Sequence, residues 1–173
     1  MRALLTVALT LAACVTIAAA QAAPAFKAAA VVGFFADAAK QQFRPICVGT
    51  AADCPAPASA AVFVLADFPF ASDKLTRAAK KNLDEFARAL QDPRLKGRKF
   101  EIDGHADGDG AEPYNLELSE RRAAAAVAYL ASKGLDQPYL LIAKGFGASR
   151  PRVANPHSPD NRRVEARMFG AVR

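Results

Sequence analysis

The sequence predicts an α/β layer in which strands and helices alternate as βαβαβ and one more strand follows, with the helices covering one face of the sheet. Three observations predict it. Residues 61–68 (AVFVLADF) form a continuous apolar run of strand length, and residues 99–103 and 163–168 alternate apolar with polar side chains. Between the first two strands, Leu75, Ala79, Leu83, Phe86 and Leu90 recur every three or four positions, as on one face of a helix.

The composition suits that class. A chain of 173 residues, 52% apolar and 23% charged, holds one domain or one domain with an appendage, and it is neither disordered nor collagen-like. Twenty-three basic against 17 acidic residues give a formal charge of +6. The excess forms no dense Lys/Arg run, and only 8% of residues are aromatic, so nothing calls for a nucleic-acid partner.

Residues 1–22 read as a secretory leader. Arg2 precedes an apolar run without an acidic residue, small residues fall at Ala18-x-Ala20 and Ala20-x-Ala22, and Pro24 follows. Cleavage is expected near residues 20–23. A retained membrane anchor fits less well, because the run is alanine-rich and ends in cleavage-type spacing rather than a charged stop. Leu11-Ala12-Ala13-Cys14 also resembles a bacterial lipobox, in which Cys14 would be lipidated as the first mature residue. Against lipidation, the apolar VTIAAA continues past Cys14 where a polar tether belongs.

Residues 23–60 form an N-terminal segment. Phe26, Ala30, Phe34 and Ala38 lie at helical spacing, with Gly33 interrupting. Cys47 and Cys54 then flank a Gly-containing stretch, and Pro55 and Pro57 mark a linker. An even pair of thiols in an exported chain reads as a disulfide, whereas as metal ligands two Cys supply half a zinc site.

Residues 61–173 carry the main domain. After the first strand, Ser72 is a candidate cap for the helix that ends at Asp92-Pro93. The strand 99–103 meets Gly104, and the polar loop GHADGDGAEPY follows. Ser119 is the expected cap of the second helix, with Ala123, Ala126, Val127 and Leu130 facing inward and Lys133-Gly134 closing it. Residues 140–143 and 163–168 complete the sheet.

Four strings in order carry a family resemblance: Gly104-His105-Ala106-Asp107, Tyr114-Asn115-x-x-Leu118-Ser119-x-x-Arg122-Ala123, Gly145-Phe146-Gly147, and Asn161-Arg162-Arg163-Val164-Glu165. Together they resemble the OmpA-like C-terminal domain, the peptidoglycan-binding family that includes the peptidoglycan-associated lipoprotein, over about residues 61–170. The resemblance implies an α+β sandwich with a mixed four-stranded sheet. It also implies noncovalent, cofactor-free binding of peptidoglycan through the diaminopimelate of its stem peptide, at the periplasmic face of the outer membrane or in the periplasm. Asp107 and Arg122 are the positions it assigns to the ligand, and Asn115, Asn161 and Arg162 are second-rank candidates.

The residue chemistry agrees. An amino acid carries an ammonium and a carboxylate on one carbon, so a binder needs one anion and one guanidinium held close together. Asp107 lies in a loop leaving a strand end, where Gly108 and Gly110 admit close approach. Arg122, three residues after the expected cap Ser119, falls in a first helical turn whose free N–H groups favour an anion, and its planar fork suits a carboxylate. The competing reading is that Asp107 and Arg122 simply pair with each other.

This chain departs from the family's pattern in three places. Ala106 stands where Thr is usual, and Pro69 and Ala71 replace positions that often carry acidic or amide side chains. Arg163 is assigned to structure, paired with a neighbouring acid. Catalytic inventories fail: His105 and His157 are the only histidines, and Ser119 lacks a nucleophile-elbow context. Two alternatives to a wall anchor are a domain whose site has drifted into a protein–protein interaction module with other envelope proteins, and a cell-wall hydrolase. Contact with a membrane would come only through a lipid on Cys14.

Overall fold

The computed structural model describes residues 25–42, 61–135 and 141–171. The leader with Cys14, the Cys47 and Cys54 pair, the linker at Pro55 and Pro57, and the start of the strand expected at 140 lie outside the described residues. In chain order the elements are α1 (Ala28–Gln42), β1 (Val62–Asp67), α2 (Arg77–Leu90), β2 (Arg98–Gly104), α3 (Glu112–Ala131), β3 (Leu141–Gly145), a 3-10 turn at Pro159–Asn161, and β4 (Arg163–Ala171).

The strands lie in the order β1-β4-β2-β3, with β4 antiparallel to both neighbours and β2 parallel to β3. The sheet is therefore mixed. That arrangement brings the carboxyl ends of β1, β2 and β3 to the same edge as the amino end of β4. The loops following β1, β2 and β3 all gather there.

Strand alternation divides the sheet into two faces. Phe100, Ile102, Val164, Ala166 and Met168 are buried beneath the helices with Leu65. Glu101, Asp103, Glu165 and Arg167 alternate with them and face the other way, where Arg167 bonds Asp103 at 2.6 Å. Helix α3 lies so close to the sheet that a β-carbon on Gly104 would collide with the Ser119 carbonyl, and one on Gly145 with Glu120 and Ser119. Glycine is needed at both positions for want of space.

Helix α1 joins the same core. Phe35 is fully buried, with its ring 5.2 Å from Phe100 and 6.4 Å from Phe86, while Phe26 and Phe34 pack edge-on against Phe63 at 4.8 and 5.3 Å. Gly33 does not interrupt the helix: the cost of a helical glycine, about 1 kcal/mol relative to Ala, is outweighed by the burial of Val31, Val32 and Phe35 on the same helix. The carboxylate of Glu85 on α2 accepts a bond from the Ala28 N–H at 3.0 Å and so does the work of a cap for α1.

Two expected caps are displaced. Helix α2 is capped by Thr76, whose side chain accepts from the Ala79 N–H at 3.0 Å, and Leu75 packs on the core from just before the helix. Ser72 instead accepts from the Lys74 N–H within its own turn. Helix α3 begins about two turns ahead of Ser119, because Glu112 and Pro113 suit a first turn: Pro lacks the N–H that would go unpaired, and the acid complements the dipole. Its end is as expected, with Gly134 at φ +80.

Candidate functional site

Asp107 sits at the gathered loop edge and is nearly buried. Two bonds hold its loop in place: the Ala106 N–H donates to Gly147 O at 2.9 Å, and the Gly108 N–H donates to Pro156 O at 2.8 Å. From the first turn of α3, Asn115 Nδ2 donates to the Asp107 carbonyl at 3.3 Å. The Asp107 carboxylate accepts from Arg162 Nη1 at 2.8 Å, and Arg162 Nε donates to Phe68 O at 3.2 Å.

Arg122 is placed differently from the expectation. It lies ten residues into α3, beyond the reach of the helix dipole, which acts within the first turn. Its guanidinium is wholly buried and donates to three backbone carbonyls: Ser72 at 2.8 Å, His105 at 3.0 Å and Pro69 at 3.1 Å. It also lies over the Phe68 ring, 5.3 Å from the centroid. Burial pushes its pKa down to about 10, against the pull of Asp107, so it remains cationic at neutral pH. Asp107 and Arg122 do not pair with each other; among the described residues Arg162 is the partner of Asp107.

Asn161 is taken up by the scaffold. Its Oδ1 accepts from the Arg152 and Val153 N–H groups, and its Nδ2 donates to the Asn155 and Pro156 carbonyls, so it shapes the loop that delivers Arg162. Asn115 likewise fixes the Asp107 loop. The three departures also find their places: Pro69 contributes a carbonyl to Arg122, Ala106 is buried, and Ala71 has φ +48, a strained left-handed conformation for a residue with a side chain. Phe70, on the same turn, is 63% exposed, and the Arg162 guanidinium lies 6.0 Å from its ring.

Behind the site lies a second charged group. Arg163 Nε donates to Glu165 at 2.6 Å, as the sequence suggests. The buried His105 ring stacks on Phe146 at 5.6 Å, with its Nε2 3.3 Å from Glu165 but unaligned for a hydrogen bond. Burial lowers the His105 pKa, leaving the ring neutral at pH 7. Burial by itself would raise Glu165, but the Arg163 guanidinium bonded to it outweighs burial and holds the carboxyl at about 2.

That inversion has a sign. The folded pKa of Glu165 lies below its ordinary value of 4.5, so the group's stabilisation is complete above about pH 4.5 and is lost as pH falls through about 2. In urea unfolding at stepped pH, Glu165→Gln should cost about 3 kcal/mol at pH 7 by leaving Arg163 unpaired. It should also show a shallower acid limb than the wild type between pH 4.5 and 2. Equal limbs would place the acid sensitivity elsewhere.

The sequence of the OmpA family matches residues 67–167. Among curated proteins, the chain is similar to outer membrane protein A of Bordetella avium, 35% identical over 127 residues covering 68% of this chain and 61% of that protein. It is similar also to the peptidoglycan-associated lipoprotein of Pseudomonas aeruginosa, 36% identical over 102 residues covering 57% of this chain and 58% of that one. The chain thus spans about three fifths of the length of these relatives. In fold it resembles the crystal structure of the peptidoglycan-associated lipoprotein from Burkholderia pseudomallei, with a TM-score of 0.54 at 24% identity over 60% of this chain and 87% of that one.

Proposed function

Because the chain belongs to the OmpA family, we propose that it binds peptidoglycan noncovalently and grips the diaminopimelate of a stem peptide, anchoring to or sensing the cell wall. The observation that carries this reading is a buried carboxylate, Asp107, bonded to the Arg162 guanidinium at 2.8 Å at a loop edge, with the buried Arg122 guanidinium near enough to feel its charge. Asp107 receives the ligand ammonium, and Arg122, with Arg162 beside it, receives the carboxylate. Arg122 uses three of its five N–H groups on carbonyls, which leaves two to donate.

The names of the relatives, outer membrane proteins and lipoproteins, support a place in the bacterial envelope. An exported chain with leader 1–22, a Cys47–Cys54 disulfide and a binding domain at 61–173 belongs to the same reading. It makes the protein a binder rather than a catalyst.

Sedimentation of residues 24–173 with purified peptidoglycan tests it. Asp107→Asn keeps the shape but removes the charge facing the ammonium, and retention should fall by about thirtyfold or more, equivalent to about 2 kcal/mol or more for a buried charge contact. Free diaminopimelate should compete with the wild type. The full burial of Arg122 favours a second reading, in which that guanidinium is structural and the loop edge docks another envelope protein. Sedimentation indifferent to Asp107→Asn and to diaminopimelate would select it.

A further inference from the structure

We infer that the outer face of α2 is a second binding surface, which lies on the phosphate headgroups of an anionic bilayer with Lys80 and Lys81 at its centre. The inference goes beyond peptidoglycan binding and takes from the reading above only the place in the envelope, where such headgroups are at hand. Contact of this kind needs no lipid on Cys14.

The charge of the chain is unevenly spread. Residues 74–99, which are α2 with its flanking loops, hold nine basic and three acidic residues, an excess equal to the +6 of the entire chain. The three acids are already engaged, Asp84 with Lys133, Glu85 with Arg88 and Asp92 with Arg94. Helix α3, by contrast, exposes Glu112, Glu117 and Glu120. This asymmetry turns α2 toward a negative surface and the start of α3 away from it.

Helical periodicity puts Arg77, Lys80, Lys81 and Arg88 on one side of α2, all exposed, opposite the buried Leu83, Phe86 and Leu90. Among the described residues Arg77, Lys80 and Lys81 have no carboxylate partner, so cations three and four positions apart repel one another. An anionic surface relieves that repulsion. From Arg77 to Arg88 the row is about 16 Å long, and its convex, core-packed backbone suits a plane of phosphates better than one small ligand.

At the margin of this face, α2 and the residues leading into α1 enclose a cleft of about 310 Å³. Lys27 and Lys81 line it, together with Asp84 and Glu85, whose carboxylates are held by Lys133 and by Arg88 with the Ala28 N–H. Asn82 lines it too; it is 3% exposed, and its Nδ2 has no acceptor among the described residues. A headgroup phosphate entering between the two lysines brings an acceptor to that donor.

Sedimentation of residues 24–173, which keep every described residue, with vesicles of phosphatidylcholine alone and with vesicles containing phosphatidylglycerol tests this. The wild type should bind the anionic vesicles, release them as salt is raised, and leave the neutral ones unbound. Lys80→Glu/Lys81→Glu should lose about thirtyfold or more in vesicle affinity and sediment with peptidoglycan as the wild type does. Lys144→Glu/Arg150→Glu makes the same change in net charge at exposed positions on β3 and the loop after it, and should bind vesicles like the wild type. Equal binding by all three proteins would overturn the α2 surface. Equal losses in the two variants, or a wild type indifferent to phosphatidylglycerol, would do the same. Loss of peptidoglycan along with vesicles in Lys80→Glu/Lys81→Glu would overturn it too, by giving the face to the wall. A wild type that binds anionic vesicles but not peptidoglycan would overturn the Asp107 reading and leave this one standing.

Discussion

Replacing Arg122 with alanine should lower the free energy of unfolding by about 3–5 kcal/mol, a larger loss than any other substitution at the loop edge. The reason lies in the three carbonyls. Pro69, Ser72 and His105 come from the loops after β1 and β2, and one buried guanidinium gathers them. Without it, three acceptors lose their donor in a place water does not reach, each costing about 1–3 kcal/mol if left unpaired, offset in part by relaxation of the turn. Arg122→Lys should recover little, since an ammonium on a single stem lacks the planar fork that reaches three separated oxygens. Urea unfolding at constant m-value checks this. An Arg122→Ala protein as stable as the wild type would mean that the carbonyls find other donors, and that the guanidinium serves the ligand alone.

The same measurement separates stability from binding. Asp107→Asn and Arg162→Ala touch a pair nearer the surface, and they should weaken retention on peptidoglycan at a smaller cost in stability. Arg122→Lys should weaken both. A variant that loses retention while keeping its urea midpoint identifies a group that meets the ligand rather than one that shapes the site.

Phe35→Ala should cost about 3–5 kcal/mol, equivalent to a fall in Tm on the order of 10 °C for a chain of this size. Phe35 belongs to α1, outside the stretch that matches the family, yet its buried ring packs against Phe86 of α2 and Phe100 of β2. A chain starting at residue 61 would uncover these rings and Phe63, and should bind a hydrophobic dye and self-associate. Unfolding of that truncated chain at the wild-type midpoint would show that α1 packs without stabilising.

Several elements were legible because their signals are local. The alternation at 99–103 and 163–168 marks strands wherever they lie in the sheet, and Gly134 ends a helix through its own positive φ. Glu112-Pro113 is a local signal for the start of α3, although Gly108 and Gly110 just ahead of it point to a loop that runs on to Tyr114. Ser119 looks like a cap by residue type, yet it sits mid-helix, where its hydroxyl donates to the Leu116 carbonyl and accepts from the Gly147 N–H across the packing interface with the loop after β3.

The site divides along the same line. The ordered motifs single out Asp107 and Arg122 but not their contacts in the fold, because no spacing relates Asp107 to Arg162 at 55 positions' distance or Arg122 to the carbonyl of Pro69 at 53. Backbone carbonyls carry no residue signature at all. By itself, the sequence determined the fold class, the strand and helix faces and the membership of the charged set, since periodicity and residue chemistry act over a few neighbouring positions. Only the tertiary structure decided which guanidinium neutralises Asp107, that Arg122 is buried among carbonyls, and that α1 belongs to the core, because each depends on which segments the strand order brings together.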